Sequence, residues 1–357
     1  MRGFALMEQL ASLTTGYTPD PAKEQQELTY YDYPVLKAPF WRWEIIWYFF
    51  LGGLAAGCYV IASIASLFGS KEDRIVTRTG YYLSLLALLP CPALLIKDLG
   101  RPERFLNMLR IFKLKSAMSM GVWSLLSFSL FSGVTATIQA ARDGLLGKWW
   151  GAKLLAALPQ KLLALLGSPF AVFLGGYTGV LLAATSVPLW SRSKHLGAIF
   201  VSSAISTSAA LISFVLRIVG APAKTLHKLE QMEWLALLVE MGELLIFLRG
   251  SGRAARALVG TGPNEHGYTF WRFMFGGGLV LPWLLQTLLL LGRRSHGAKR
   301  RLKQKDGVKS TQRQRGGIGL LISLLVLMGG YFLRRTMIEG GRSSSRDGRV
   351  ALWHGRG

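Results

Sequence analysis

Charge is scarce in this chain. Of 357 residues only 17% are Asp, Glu, Lys or Arg, while 51% are hydrophobic, against about 25% charged in an ordinary soluble domain. Acids are scarcer still, with 19 Asp and Glu against 42 Lys and Arg. There are two cysteines, Cys58 and Cys91, each inside an apolar stretch and without a Cys-x-x-Cys partner, so neither a cluster nor a zinc site has its ligand spacing. The five histidines, His195, His227, His266, His296 and His354, fall at the ends of apolar stretches or between them. No pair is placed mid-membrane to clamp a haem from both sides, which argues against a b-type cytochrome. The first 43 residues carry Pro19, Pro21, Pro34 and Pro39 and lack the charged, apolar and small-residue order of a signal peptide. They are expected to be an extramembrane tail.

What the sequence does have is long apolar runs. Eight stretches, near 45–68, 80–96, 117–141, 168–190, 195–219, 229–248, 273–292 and 317–333, approach the ~17–25 residues a helix needs to cross a ~30 Å hydrocarbon core. Backbone polar groups in lipid must be satisfied internally, and runs this long exceed barrel strands, so the expected fold is an all-α integral membrane protein with eight transmembrane helices. Between the third and fourth stretches, residues 147–167 interleave Lys148, Lys153 and Lys161 with Trp149, Trp150 and leucines, the pattern of a helix lying at the interface.

A net charge of +23 raises nucleic acid as a partner, but the basic residues are scattered between apolar stretches rather than gathered on one soluble face. They are better used for topology. Counting every loop and tail, the two sides nearly tie. The positive-inside rule weighs short loops near span ends and discounts long tails, and the 293–315 loop holds ten Lys and Arg against Asp306 alone. That loop is expected to be cytoplasmic and both termini outside, an orientation that cysteine labelling at Ser310 and Ser345 would test.

A carboxylate at mid-membrane costs about 2.5–3.5 kcal/mol on insertion scales and asks for a reason. The sixth stretch holds Glu240 and Glu243, which at a spacing of three share a helix face and form a candidate proton path. The bland alternative places Glu243 close enough to the helix end at Arg249 to reach polar surroundings. Glu44 sits at the mouth of the first stretch among Trp41, Trp43 and Trp47; an interfacial aromatic belt accounts for the tryptophans, and either snorkelling or a ligand contact accounts for the acid. "LGGLAAG" (51–57) reads as a close-packing surface for a neighbouring helix. Tyr177 and Thr178 lie between glycines inside the fourth stretch. A buried tyrosine ordinarily finds a hydrogen-bond partner, on a neighbouring helix or on a ligand.

The densest punctuation is "DLGRPERF" (98–105). Gly100 and Pro102 stop a helix, while Lys97, Asp98, Arg101, Glu103 and Arg104 could form a local ion-pair network. Exposed pairs are worth only about 0–1 kcal/mol each, so stability alone is a thin reason for five charges.

Four stretches taken together, "PVLKAPFWRWEIIWYFFLGGLAAG" (34–57), "KDLGRPERFLNML" (97–109), "SAMSMGVWSLLSF" (116–128) and "YTGVLLAATSVPLW" (177–190), with a weaker "GYFLRRTMIEGG" (330–341), resemble the NrfD or polysulfide-reductase type membrane subunit. This is the quinone-interacting anchor of bacterial respiratory oxidoreductases. The resemblance implies two four-helix bundles at 44–190 and 191–335, flanked by tails at 1–43 and 336–357, in the bacterial cytoplasmic (inner) membrane. It implies a quinone, menaquinone or ubiquinone, bound in the first bundle near the "DLGRP" turn, and no haem or iron–sulfur cluster held by this protein. The implied partners are a 4Fe-4S ferredoxin-like iron–sulfur subunit and a catalytic subunit, often molybdenum-containing.

Carried over by position, Tyr177 looks like the family's quinone-contacting tyrosine, and the resemblance makes Asp98 and Arg101 candidates for shaping the pocket mouth or contacting the partner. Where some members have a histidine and an asparagine near the start of the first span, this sequence has Trp43, Glu44 and Trp47, and Glu44 is the candidate replacement. Tyr177, Glu44 and Asp98 are therefore the expected catalytic groups, with Trp43 and Arg101 completing the quinone site and Glu240 and Glu243 the proton path. Two rival classes stay open: a secondary transporter, suggested by the Pro-interrupted "LPCPALL" (89–95) and the buried acids, and a non-redox membrane anchor.

Overall fold

The computed structural model describes residues 36–347 apart from residues 38, 192, 263–264 and 300–307, together with Val350. The N-terminal tail and most of the basic 293–315 run therefore lie outside the described residues or outside the described side chains. Every regular element among the described residues is helical. The long ones are α1 (Trp43–Phe68), α2 (Arg74–Leu88), α3 (Pro90–Asp98), α4 (Ala117–Arg142), α5 (Gln160–Ala183), α6 (Leu196–Val219), α7 (Ala223–Ser251), α8 (Leu281–Lys299) and α9 (Val308–Arg346). A π-helix, Phe270–Val280, leads into α8.

Local chemistry sets the breaks. Pro90 starts α3 directly after α2 with Leu89 still in right-handed helical geometry, so the two form one interrupted span, as expected of a ring that removes an N–H without reversing the chain. Gly100 (φ +68) then turns the backbone out of α3, and Pro102 opens a short 3-10 helix. Gly220 (φ +77) closes α6 in the left-handed region, its N–H returning to Leu216 and Arg217.

α1 packs on α2, α5 and α6, and α4 packs on α2 and α5. α6 packs on α7 and α9, α9 on the π-helix, and α8 on α7 and α9. α1 and α6 are the most enclosed helices, and the apolar core runs along them through Phe49, Leu54, Phe200 and Ala210. The two ends of the molecule are fixed by side chains. At one end Trp41 stacks on Trp190 at 5.4 Å, and Trp190 Nε1 donates to the Met337 carbonyl at 2.9 Å. At the other, Lys228 pairs with Asp73 at 2.6 Å and Arg142 donates to Gln160 at 2.6 Å.

Seven helices among the described residues are long and apolar enough to cross a membrane, one fewer than the eight expected. The missing one is α7. It is helical over 29 residues, but Glu230, Glu233, Glu240 and Glu243 dilute its hydropathy. The first three of these are buried against neighbouring helices, so its low apolarity comes from groups that face protein.

α9 also outruns its expected end. It continues to Arg346, with Thr336, Met337, Ile338, Ser344 and Ser345 buried, because the small Gly340–Gly341 pair lets Trp190 and Leu258 close over it. Ser345 is thus shielded and unsuited to labelling.

Where the π-helix meets α9, the backbones of Gly278 and Gly329 touch so closely that a Cβ on either would overlap the other segment. Overpacking of this kind costs about 1–3 kcal/mol. Gly329→Val is expected to lower the unfolding temperature of the detergent-purified protein, whereas the same change at Gly317, whose Cβ position is open, is expected to leave it nearly unchanged.

Candidate functional site

The start of α1 and the end of α3 form one charged lip. Glu44 is in the first turn of α1, where an acid is favoured by the helix dipole. Lys97 Nζ reaches Glu44 Oε1 at 3.5 Å and lies 4.3 Å from the centroid of the Trp43 ring. Asp98 accepts a hydrogen bond from the Arg42 backbone N–H and lies within electrostatic reach of both Glu44 and Arg42. The lip therefore joins α3 to α1 rather than closing on itself. Arg101, Glu103 and Arg104 are exposed and make no ion pair among the described residues, so the local network expected within the turn is not formed. Gly100 swings the backbone outward, and that separates Arg101 from Asp98.

Beneath the lip, Tyr48 follows Glu44 by one helical turn on the same face of α1. Tyr48 is buried and lies within electrostatic reach of Tyr177 and Cys91. Tyr177, on α5, is only 6% exposed. Its ring stacks on Phe173 at 5.9 Å and lies so close over Gly121 of α4 that a Cβ there would overlap it. The Tyr177 hydroxyl makes no hydrogen bond among the described residues, so the backbone bond that would make it a plain structural tyrosine is absent.

Two further polar atoms nearby are buried and unpartnered: Glu44 Oε2, and Ser124 Oγ one turn from Gly121 on α4. A buried polar group without a partner costs about 1–3 kcal/mol. Glu44 Oε2 lies on the α1 side of Tyr48 and Ser124 Oγ on the α4 side of Tyr177. The structure thus brings Glu44, Trp43 and Asp98 together, links them to Tyr177 through Tyr48, and leaves Arg101 apart. Sequence reading missed Tyr48 and Ser124; the spacing of four from Glu44 was the available signal for the first.

The second half holds a separate polar cluster. Glu240 accepts from Ser206 Oγ at 2.8 Å and lies within electrostatic reach of Arg334. Arg334 is 0% exposed, donates to Ser203 Oγ at 2.5 Å and to its own helix at Gly330 O at 2.9 Å, and sits 5.3 Å from the Phe200 ring centroid. Glu243 pairs with His195 Nδ1 at 2.8 Å. Although only three residues apart on α7, Glu240 looks inward and Glu243 outward to a half-exposed imidazole. The Arg334–Arg335 pair at the end of the last apolar stretch was a signal the sequence reading passed over.

Membrane-length helices, packed together and tied at one end by a charged lip between two of them, define a multi-pass membrane protein. The family model described as "Polysulphide reductase, NrfD" matches residues 36–342, and the chain belongs to that family. It is similar to Protein NrfD of Escherichia coli, 30% identical over 271 residues and covering 69% of this sequence and 84% of that one. The C component of the polysulfide reductase of Wolinella succinogenes is 27% identical over 324 residues, covering 85% and 94% of the two sequences. The C component of the selenate reductase of Mesobacillus selenatarsenatis is 24% identical over 284 residues, covering 70% and 64%.

Proposed function

We propose that this protein is the quinone-reactive membrane subunit of a respiratory oxidoreductase, exchanging electrons with an extrinsic iron–sulfur subunit that serves a catalytic subunit. The observation that carries the reading is that the buried residue Tyr177, whose hydroxyl makes no hydrogen bond among the described residues, and the unpartnered Glu44 Oε2 flank Tyr48 beneath the lip of Trp43, Lys97 and Asp98. Quinone, when bound, supplies the two-electron, two-proton chemistry. Tyr177 would hold a carbonyl oxygen through its hydroxyl, Glu44 would take or give a proton at Oε2, and Asp98 would connect that acid to the surface. Lys97 holds Glu44 at its other oxygen and leaves Oε2 free for that role. The exposed, unpaired Arg101 and Arg104 suit an acidic face of the partner. Two of the relatives are named as lettered components of reductases, which supports a multi-subunit assembly. Co-expression with an iron–sulfur protein encoded alongside it should give a complex that oxidises or reduces a quinol analogue; a stable protein that neither binds the analogue nor retains a partner would contradict the reading.

The contacts that close α1, α2, α4 and α5 in one ring, and α6, α7, α8 and α9 in another, support two four-helix bundles. Glu240 and Glu243 are the proposed proton path, with His195 as its exit. In this reading α7 crosses the bacterial inner membrane as the eighth helix, with Glu230, Glu233 and Glu240 facing protein, and both termini face the periplasm. Single cysteines replacing Asn107 and Arg249 should then react with a membrane-impermeant maleimide from outside, while those replacing Lys148 and Lys224 react only after permeabilisation. Reaction of the Arg249 and Lys224 positions from the same side would remove α7 from the membrane.

A further inference from the structure

Nine buried side-chain nitrogen and oxygen atoms lack a hydrogen-bond partner among the described residues, and five belong to one region far from the quinone lip. They are Ser213 Oγ and Arg217 Nε on α6, Glu233 Oε1 on α7, and Trp283 Nε1 and Gln286 Oε1 on α8. Native interiors carry few such atoms, so five grouped around Glu233, which is bonded by Gln286 and lies in the field of Arg217, point to something polar held there.

The charges there do not balance without it. The Arg217 guanidinium pairs with Glu230 Oε1 at 2.7 Å, both side chains nearly inaccessible. His227 approaches the other Glu230 oxygen at 3.8 Å, and Gly319 of α9 closes against the guanidinium without adding a charge. Arg217 is thus already engaged by Glu230. Glu233, 1% exposed, receives a hydrogen bond from the Gln286 amide and only the longer-range field of Arg217, opposed by that of Glu230. Its free oxygen and that of Gln286 are both acceptors, and what they lack is a donor. An ionised carboxylate without its own cation at this depth is expensive. One proton, carried on Glu233 and shared through a bridging water, would satisfy both oxygens, and a polar niche with two to four partners is the kind that retains water.

We propose that Glu233, with Gln286, Ser213 and Arg217, forms a proton-holding site in the half of the membrane opposite the quinone lip. Resting on the proposed Glu240–Glu243 path, it is that path's continuation toward the Glu230 and His227 end. Glu233 precedes Glu240 by seven residues, about 10.5 Å along the helix, on the same face of α7 and across the buried Ala236 and Leu237. This apolar interval makes Glu233 and Glu240 two stations of that path, one toward each face.

Infrared spectroscopy of the complete complex at neutral pH tests the site itself. The wild type should show a protonated-carboxyl stretch, shifted by deuterium exchange, that is lost in Glu233→Gln and kept in Glu243→Gln. A spectrum unchanged in Glu233→Gln overturns the proposal. Loss of the same band from the wild type on exchanging choline for sodium at fixed pH also overturns it, by making the occupant a metal cation. The number of protons moved per quinol in vesicles is a separate readout. If Glu233→Gln removes the band yet leaves that ratio unaltered, the site stands and the path reading fails.

Discussion

Replacing Arg334 by leucine is expected to produce the largest loss of stability of any single substitution in the second half of the protein. Arg334 is fully buried and gathers α6, α7 and α9 through Ser203, Phe200 and Glu240. Its Nη2 also lies 3.0 Å from where a Gly53 Cβ would be, so it fills the seam against α1. Removing one partner of a buried charged pair costs about 3–5 kcal/mol, chiefly because the other is left uncompensated. In Arg334→Leu the uncompensated group is Glu240, left with the hydroxyls of Ser206 and Ser203. A thermal unfolding assay in detergent should register a large drop, and the double variant Arg334→Leu/Glu240→Leu should recover much of it. A double variant no better than the single one would mean that the guanidinium acts through packing and not through Glu240.

The second large effect is on turnover. Tyr177→Phe removes one hydroxyl and leaves the ring stacked on Phe173 and seated on Gly121, so assembly should be retained. If that hydroxyl is the donor to a quinone carbonyl, its loss leaves a buried acceptor unsatisfied, a cost of about 1–3 kcal/mol. At a factor of ten per 1.4 kcal/mol, quinol turnover should fall by about five-fold to a hundred-fold or slightly more. Gly121→Ala should mimic the effect by a different route, since its Cβ displaces the Tyr177 ring. Unaltered turnover in Tyr177→Phe would remove the tyrosine from the site.

The helices were legible in the sequence because backbone satisfaction in lipid leaves few choices, and length with hydropathy then locates the runs. α7 shows where that logic thins. Three of its four acids are buried against neighbouring helices, and a window average cannot separate a helix that is polar on one protein-facing side from one excluded from lipid. The "DLGRP" turn was visible through Gly100 and Pro102, but its charges were misassigned to one another. The salt bridge of Lys97 crosses to Glu44, over fifty positions away in sequence, and no local spacing announces it. Tyr177 stood out because glycines flank it, whereas the ring's actual floor, Gly121, comes from another helix. Arg334 and Glu240 lie in runs whose charges could each be noticed singly, yet only the packing of α6 between α7 and α9 makes them partners. Pairings between helices are what a sequence pattern does not encode.

The central claim is that quinone binds beneath the lip formed by α1 and α3, against Tyr177. Its most direct test is photo-crosslinking of the purified complex with an azido-quinone, followed by peptide mapping. The account predicts label on peptides containing Tyr48, Ser124 and Tyr177, displaced by excess unmodified quinone and reduced in Tyr177→Phe. Displaceable label confined to peptides of α6–α9, or none that unmodified quinone displaces, would contradict it.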